Sequence, residues 1–274
     1  MGLVLGVIAG LAYGLSAFAG AFLALPLLVA GAGIGLHASL PVALLALGIC
    51  AAVAAGDAVR ARQCDVTLVG IFLVGAVPTA LIAGWLAQQL PAKVLATFFL
   101  TAAIVFGPLL LNIVHRFRHR VAPSPAGLLH APKRTLTEAA ARADYRARAR
   151  LRVALAGAGC GVLAAFCAAP GSRIGWRELE RELPGQPYLV VGTLTFAVAV
   201  LAVLEAGLQF AVAPAAPGYT AGLFVLGAVA GMGLARRIVP RPANWMNNTV
   251  VGVAVIVGAI VLWVGVVTGW QLTQ

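Results

Sequence analysis

The sequence predicts an all-α polytopic membrane protein made of two inverted repeats, each a broken re-entrant helix hairpin plus three transmembrane helices. Three observations support this prediction: the composition, an internal duplication and the distribution of basic residues. Of the 274 residues, 62% are hydrophobic and 10% are charged, whereas a soluble domain carries about 25% charged residues. The composition therefore indicates a helical membrane protein.

Apolar runs long enough to cross a bilayer, about 20 residues, occur along most of the chain. They cover residues 38–58, 66–88, 93–114, 187–212, 218–238 and 246–268. Two further apolar stretches, 2–31 and 151–170, contain interruptions. In the first of them Gly14, Ser16 and Gly20 fall midway, as expected of a segment that enters the bilayer, turns and leaves. Each arm is long enough to reach the middle of a bilayer about 30 Å thick.

The second half of the chain repeats the first in the same order. The matched segments are Gly70–Val77 with Gly222–Val229, Gly84–Pro91 with Gly233–Pro240, and Gly10-x-x-x-Gly14 with Gly157-x-x-x-Gly161. A polar, basic segment separates the two copies. The predicted organisation is therefore a first membrane repeat over 1–114, a basic cytoplasmic loop and helix over 115–150, and a second membrane repeat over 151–274.

The basic residues distinguish two topologies. If all eight apolar stretches cross the membrane, the 19 Lys and Arg residues divide into twelve inside and seven outside. If the two broken stretches are hairpins that return to their own side, all of these residues except Lys93 lie inside. The positive-inside rule favours the second arrangement. Two hairpins then enter from opposite faces, and their tips build one shared, buried site near the midplane.

The opening pattern Gly10-x-x-x-Gly14-Leu-Ser16-x-Phe18-x-Gly20-x-Phe22-Leu-x-Leu-Pro26 resembles the first signature of the sulfite exporter family TauE/SafE. The resemblance covers nearly the whole chain, including the duplication and the variable central loop. It implies a secondary transporter of sulfite, short organosulfonates or sulfocarboxylates in a bacterial inner membrane. The alternative is a non-transporting membrane partner or assembly factor that retains the fold.

The chain also departs from the family pattern at three places. The usual Gly-Gly-Gly after the first turn is Ala19-Gly20-Ala21. The glycine cluster of the second half is Cys167-Ala-Ala-Pro-Gly171-Ser172-Arg173, and the Ala-x-x-Thr-Ser of the next span is Gly192-Thr193-Leu-Thr195. A changed substrate is compatible with these departures.

The second broken stretch carries the most specific anion-binding pattern. Gly171 follows a proline and forms a turn, Ser172 is a plausible N-cap, and Arg173 falls in the first turn of the next helix. Free amide groups at a helix start attract anions, and Arg173 could bind a sulfonate or carboxylate through paired hydrogen bonds. Cys167 is a further candidate contact. In the alternative interpretation, Arg173 lies nearer the surface with the Arg/Glu-rich arm that follows.

Other candidate ligands are neutral. Ser16 and the amides around Ala19 and Gly20 would supply donors from the first tip, unless the glycines serve close helix packing. Thr193 and Thr195 lie one turn into a span that should flank the tips. Their hydroxyls either bind the anion or bond back to their own helix.

Two acids suggest ion coupling. Glu205 lies inside an apolar run, and Asp57 occupies the corresponding end of the first-half span. An ionisable residue at membrane depth is costly and usually functional, so we expect proton coupling through one or both. Alternatively, both acids lie at interfaces and pair with Arg60 or other nearby basic residues.

The net charge of +11 is concentrated in the 115–150 loop, beside two membrane entries and with few aromatic residues. Anionic lipids, rather than nucleic acid, are therefore its expected partner. The four cysteines form no CxxC pair and have no histidine at zinc spacing, so no metal and no cofactor is expected. No nucleophile–base set indicates an enzyme. The sequence leaves a homodimer open.

Overall fold

The computed structural model describes residues 1–15, 17–116, 128–129, 147–169, 173–212, 218–238, 256 and 258–265. Its elements are helical, and no strand occurs among these residues. The helices are α1 (Gly2–Leu15), α2 (Ala17–Pro26, continued by a π-helical turn over Leu27–Gly31), α3 (Leu36–Arg60), α4 (Val66–Gln89), α5 (Ala92–Arg116), α6 (Ala147–Cys167), α7 (Arg173–Glu182), α8 (Pro187–Val212) and α9 (Gly218–Ile238). The prediction of an all-α polytopic membrane protein is confirmed.

Five helices in the described part of the chain are long and apolar enough to cross a membrane. They are α3, α4, the Ala149–Cys167 portion of α6, α8 and α9. The predicted spans at 38–58, 66–88, 187–212 and 218–238 coincide with four of them, and the 93–114 span falls within α5. Of the predicted span at 246–268, most lies outside the described residues. The domain boundaries at 114 and 150 stay predictions.

The first broken stretch folds back on itself. A β-carbon at Gly20 in α2 would overlap the backbone of Tyr13 in α1, and one at Gly31 would stand 2.9 Å from Leu5. Because later residues contact earlier ones in reverse order, the two arms are antiparallel. α1 ends at Leu15 and α2 begins at Ala17, so the turn falls within the Gly/Ser-rich middle of the stretch. Ser16 itself lies outside the described residues.

The second broken stretch also forms a hairpin, but its break lies later than the glycines at 157–161 suggested. These glycines are inside α6, which continues to Cys167. The chain then leaves the helix through Ala168, at a positive φ of 51°. α7 returns along α6: a β-carbon at Gly175 would stand 3.2 Å from Cys160, and Arg152 pairs with Glu182 at 2.9 Å.

Each hairpin packs against a helix from the other half. β-Carbons at Gly6 and Gly10 of α1 would overlap the carbonyl oxygens of Phe224 and Ala228 in α9. Without them, the two backbones meet directly, which is the usual role of small residues between membrane helices. Because the contacting residue numbers rise together, α1 and α9 are parallel.

The same contact occurs between α6 and α4. β-Carbons at Gly157 and Gly161 would overlap the carbonyl oxygens of Phe72 and Ala76. The pairs at 157/72 and 161/76 correspond to those at 6/224 and 10/228. By these contacts, Gly157 corresponds to Gly6 and Gly161 to Gly10. This register differs by one helical turn from the predicted pairing of Gly157 and Gly161 with Gly10 and Gly14.

Helices α3 and α8 form the central antiparallel pair. A β-carbon at Gly48 would stand 2.9 Å from Val203, and one at Gly192 would meet Ala58 at the same distance. Helix α4 runs parallel to α8, because Asp65 contacts Thr193 and Gly84 faces Glu205. Helix α3 runs parallel to α9, because Asp57 and Arg236 pair where both helices end. Helices α1, α3 and α9 thus run one way, and α4, α6 and α8 run the other way. Corresponding helices of the halves are opposed, as an inverted repeat requires; the repeat and its membrane orientation stay predictions.

Apart from Arg177 in α7 and Lys93, the described Arg and Lys side chains gather at one end of the bundle, where α3 and α9 end and α4, α6 and α8 begin. They are Arg60, Arg62, Arg150, Arg152, Arg181, Arg236 and Arg237. Lys93 lies at the opposite end, at the start of α5. We call these the basic end and the Lys93 end. The positive-inside rule predicts that the basic end is cytoplasmic.

Candidate functional site

The two hairpins approach the same turn of α5. The ring centroid of Phe99 lies 5.4 Å from that of Phe22 in α2. The adjacent residue, Phe98, lies 4.7 Å from Phe166, one residue before the end of α6. The aromatic contacts at Phe98 and Phe99 therefore bridge the two hairpins; Phe22 and Phe99 are fully buried, whereas Phe98 is partly exposed.

The residues predicted at the first tip are only partly described. Ser16 falls outside the described residues, and Ala19 lies in α2 with its side chain not described. Gly20 packs against the backbone of Tyr13, and a β-carbon there would overlap it. Close helix packing therefore accounts for this glycine, as the alternative interpretation held. Anion binding by the three residues stays a prediction.

Tyr13 was not singled out by the sequence patterns. Its side chain is 2% exposed, and its hydroxyl has no hydrogen-bond partner among the described residues. The phenol lies in α1, three residues before Ser16. A lone tyrosine in an arm of small apolar residues was the available signal, because a buried phenol normally finds a hydrogen-bond partner.

At the second tip, Cys167 ends α6 and is fully buried. Gly171 and Ser172 lie outside the described residues, and Arg173 begins α7 with its side chain not described. The start of α7 lies level with the middle of α6, because the neighbouring Ile174, itself partly exposed, approaches Gly159. The backbone of Arg173 is thus at the inner end of its helix. Its role in anion binding stays a prediction.

The predicted hydroxyl donors of α8 are both buried. Thr193 accepts a hydrogen bond at 3.0 Å from the backbone amide of Asp65. The Asp65 carboxylate in turn accepts from the amides of Thr67 and Leu68 and so caps α4. Thr193 therefore joins the starts of two helices, a contact that neither sequence interpretation included. Substrate binding by Thr193 and Thr195 stays a prediction.

The connector that holds Asp65 also contains Cys64. Burial, and then the charge of Asp65, raise the pKa of the Cys64 thiol to about 11. This thiol is therefore protonated at neutral pH and is a weak nucleophile. None of the four cysteines forms a disulfide, and the described residues contain no group of three His, Cys, Asp or Glu side chains that could hold a metal ion.

Asp57 has a basic partner. It forms an ion pair with Arg236 at the end of α9, and Arg236 also reaches the carbonyl oxygen of Val53. The side chain of Asp57 is buried, so this pair ties the end of α3 to the end of α9. The arrangement matches the alternative interpretation of Asp57, with Arg236 in place of Arg60. Proton coupling through Asp57 stays a prediction.

Glu205 has a different environment. Its side chain is 1% exposed, and its Oε1 accepts a hydrogen bond from Gln209 Nε2 at 3.1 Å. The same Nε2 lies 3.4 Å from the carbonyl oxygen of Ala165, in the last turn of α6. Glu205 Oε2 has no hydrogen-bond partner among the described residues. The acid therefore lies beside the second tip, and no cation among the described side chains pairs with it.

Polar groups continue from Gln209 towards the Lys93 end. Gln88 Nε2 lies 3.5 Å from both Gln209 Oε1 and the carbonyl oxygen of His37. His37 Nε2 lies 2.9 Å from the carbonyl oxygen of Leu90. A series of polar side chains thus connects Glu205 with the start of α3 and the last turn of α4.

Comparison with known proteins agrees with this architecture. A protein-family model described as sulfite exporter TauE/SafE matches residues 2–261, which includes all the helices described above. No curated protein and no solved structure matches the chain at a significant level.

Proposed function

We propose, from the fact that this chain belongs to the sulfite exporter TauE/SafE family, that it transports small sulfur-containing oxyanions such as sulfite, short organosulfonates or sulfocarboxylates. The family consists of membrane transporters rather than enzymes, and the chain is a multi-pass membrane protein of the sulfite-exporter type. A bacterial inner membrane is its proposed location. The class of anion, sulfur-containing oxyanions, is also proposed.

The observation that carries the proposal is the convergence of the two hairpins. Both hairpins bridge to α5 through Phe98 and Phe99, and their arms are antiparallel. Broken helices that meet deep in a bundle offer free backbone groups to a substrate in secondary transporters. The proposed anion site is the space between the two tips.

The proposed ligands follow from the charge of the substrate. At the second tip, the amides of Gly171 and Ser172 and the guanidinium of Arg173 would bind the anion at the start of α7, with Cys167 nearby. At the first tip, Ser16 and the amides of Ala19 and Gly20 would add neutral donors. Thr193 and Thr195 complete the proposed set from α8.

The proposal also includes a driving ion and a lipid partner. Protons would drive transport through Glu205, with Asp57 as a second candidate. Anionic lipid headgroups would bind the basic segment over 115–150. A homodimer is compatible with the lipid-facing surface, but no contact identifies an interface.

The alternative function is a membrane partner or assembly factor that retains the fold without transporting. The observation that favours it is the packing role of Gly20, because this glycine is accounted for by its contact with Tyr13. The two functions differ in one measurable property: a transporter must bind its anion.

Anion-dependent thermal stabilisation of the purified protein tests the proposal. A ligand at about 100 times its Kd stabilises the folded state by about 2.7 kcal/mol, so sulfite, a short sulfonate or a sulfocarboxylate should raise the melting temperature, while chloride should not. Arg173→Ala should abolish the increase. Arg177→Ala, on the exposed side of α7 one turn later, is the matched control and should retain it. If no sulfur oxyanion stabilises the protein, the partner or assembly function is favoured.

A further inference from the structure

Glu205 is a buried acid whose charge no described side chain balances. It is 1% exposed, and its Oε2 lacks a partner among the described residues. An unpaired carboxylate in the membrane interior costs several kcal/mol. A bound proton removes that cost.

The equivalent position in the other half shows what is missing. A separation of 152 residues relates Phe72 to Phe224 and Ala76 to Ala228, which make matching contacts with the hairpins. The same separation relates Gly84 to Arg236. It also relates Asp57 to Gln209, one helical turn after Glu205. In one half, Arg236 supplies a guanidinium to Asp57; in the other, Gly84 supplies no side chain to Gln209 or to Glu205.

There is also little room for such a side chain. A β-carbon at Gly84 would stand 3.2 Å from Glu205 Oε1 and 3.6 Å from Gln209 Nε2. The carboxylate and the amide therefore occupy the space that a longer residue in α4 would need. Position 84 of α4 therefore supplies no counter-charge to Glu205 and has little space for one.

Among the side chains that the structure describes, the helices around Glu205 provide no other charge partner. α8 packs against α3, α4, α6 and α7, and α4 carries no titratable side chain. The titratable side chains described on the other three are His37, Cys50, Asp57 and Arg60 on α3, Arg150, Arg152, Cys160 and Cys167 on α6, and Arg177, Glu178, Glu180, Arg181 and Glu182 on α7. The described contacts include no ion pair or hydrogen bond between Glu205 and any of them.

Gln209 connects this acid to the second hairpin. Its amide nitrogen donates to Glu205 Oε1 at 3.1 Å and to the carbonyl oxygen of Ala165 at 3.4 Å. Ala165 is two residues before Cys167, where α6 ends. An ionised carboxyl group only accepts hydrogen bonds, whereas a protonated one also donates. Protonation of Glu205 therefore changes the hydrogen bonds available to Gln209 and, through them, the end of α6.

We propose that Glu205 binds a proton and that Gln209 is a positioning residue that transmits its charge state to the tip of the second hairpin. Binding of the proton and binding of the anion are then linked, as thermodynamic coupling requires in both directions. The link deepens the proposed function, on which its anion-binding half rests. The conformational half can be measured without any anion.

The first experiment follows the hairpin tip alone. In full-length protein with Cys50, Cys64 and Cys160 replaced by Ala, the rate at which a neutral maleimide modifies buried Cys167 is measured across neutral pH. The same measurement with Glu205→Gln added corrects for ionisation of the thiol. We expect the ratio of the two rates to change about fivefold as Glu205 titrates, and Gln209→Leu to remove the change.

Thr79→Val is the matched control, because Thr79 donates a hydrogen bond at 3.0 Å to the carbonyl oxygen of Ala158 on the same helix α6. It removes a side-chain contact with α6 but lies away from Glu205, so the pH dependence should persist. If Glu205→Gln does not fold, infrared difference spectra of the wild type replace it. They should show a protonated carboxyl band on acidification, and Gln209→Leu should shift that band.

The second experiment adds an anion that stays ionised throughout, such as methanesulfonate, so that any pH dependence belongs to the protein. Its Kd should change about fivefold with pH in the wild type and remain constant in Glu205→Gln and Gln209→Leu. A constant labelling ratio together with pH-independent binding would overturn the link while leaving the transporter function intact. A pH-dependent ratio without binding of methanesulfonate, sulfite or a sulfocarboxylate supports the effect of Glu205 on the hairpin tip but contradicts the transporter function. A response to sodium instead of protons would also overturn the proposal.

Discussion

The backbone amide of Asp65 donates a hydrogen bond to the hydroxyl of Thr193, 128 residues later, across 3.0 Å. This contact joins the first turns of α4 and α8. Replacing Thr193 by Val removes the hydroxyl that accepts from this partly buried amide, which should lower the free energy of unfolding by about 1 kcal/mol. Thr193→Ser keeps the hydroxyl and should lose less.

Thermal unfolding of the two variants measures the effect. Sulfonate binding by the variants then separates the two roles considered for Thr193. If Thr193 binds the anion as well as Asp65, Thr193→Val weakens sulfonate binding in protein that is still folded. Equal stability of the Val and Ser variants would contradict the structural role.

Glycine contacts between the halves provide a second prediction. Gly157→Ala would place a methyl group against the backbone of Phe72 and should destabilise the protein by about 1–3 kcal/mol. Gly222→Ala is the matched control, because no atom lies within 4 Å of the added carbon and Ala favours helix by about 1 kcal/mol over Gly. The melting temperature should therefore fall for the first variant and stay or rise for the second.

The ion pair between Asp57 and Arg236 predicts non-additive mutations. Arg236→Gln leaves a buried carboxylate without its cation and should cost about 3 kcal/mol. Adding Asp57→Asn removes the stranded charge, so the double variant should be more stable than Arg236→Gln alone. Denaturation of the two single variants and the double variant completes a mutant cycle. Strictly additive effects would show that the two side chains do not interact.

The charge distribution predicts the membrane orientation. In a cysteine-free variant, Lys93→Cys should react with a membrane-impermeant thiol reagent applied to intact cells. Arg237→Cys, at the basic end, should react only after the membrane is opened. Labelling of both positions from the same side would contradict the antiparallel order of the helices, and the reversed pattern would contradict the cytoplasmic assignment of the basic end.

Much of the fold was predictable because membrane-spanning helices require long apolar runs, which are visible in the sequence. The bounds of α4, α8 and α9 differ from the predicted spans by at most one residue. The register between halves was not predictable, because Gly6, Gly10 and Gly14 share one helical spacing and only contact with Phe224 and Ala228 selects the first two. The break after Cys167 was also obscured, because Ala168 occupies a left-handed conformation that usually signals glycine.

The candidate site was predictable in its chemistry more than in its contacts. The buried depth of Glu205 follows from the apolar run around it. The identity of its neighbours does not, because Gln209 is a helical turn away but Ala165 comes from α6, another helix of the same repeat. Likewise, the partner of Asp57 is Arg236, 179 residues later, while the nearby Arg60 was the obvious candidate. Tyr13 carries no charge and matches no motif. Its only sequence signal is that it is a lone tyrosine among small apolar residues, and its burial is visible only in the structure.

Transport by purified protein in liposomes tests the central claim most directly. Liposomes containing the protein are loaded with an unlabelled short sulfonate, and accumulation of the same labelled sulfonate is measured against empty liposomes. The account predicts accumulation by the wild type and by Arg177→Ala, and its loss in Arg173→Ala. Folded wild-type protein that moves neither sulfonate, sulfite nor sulfocarboxylate would contradict it.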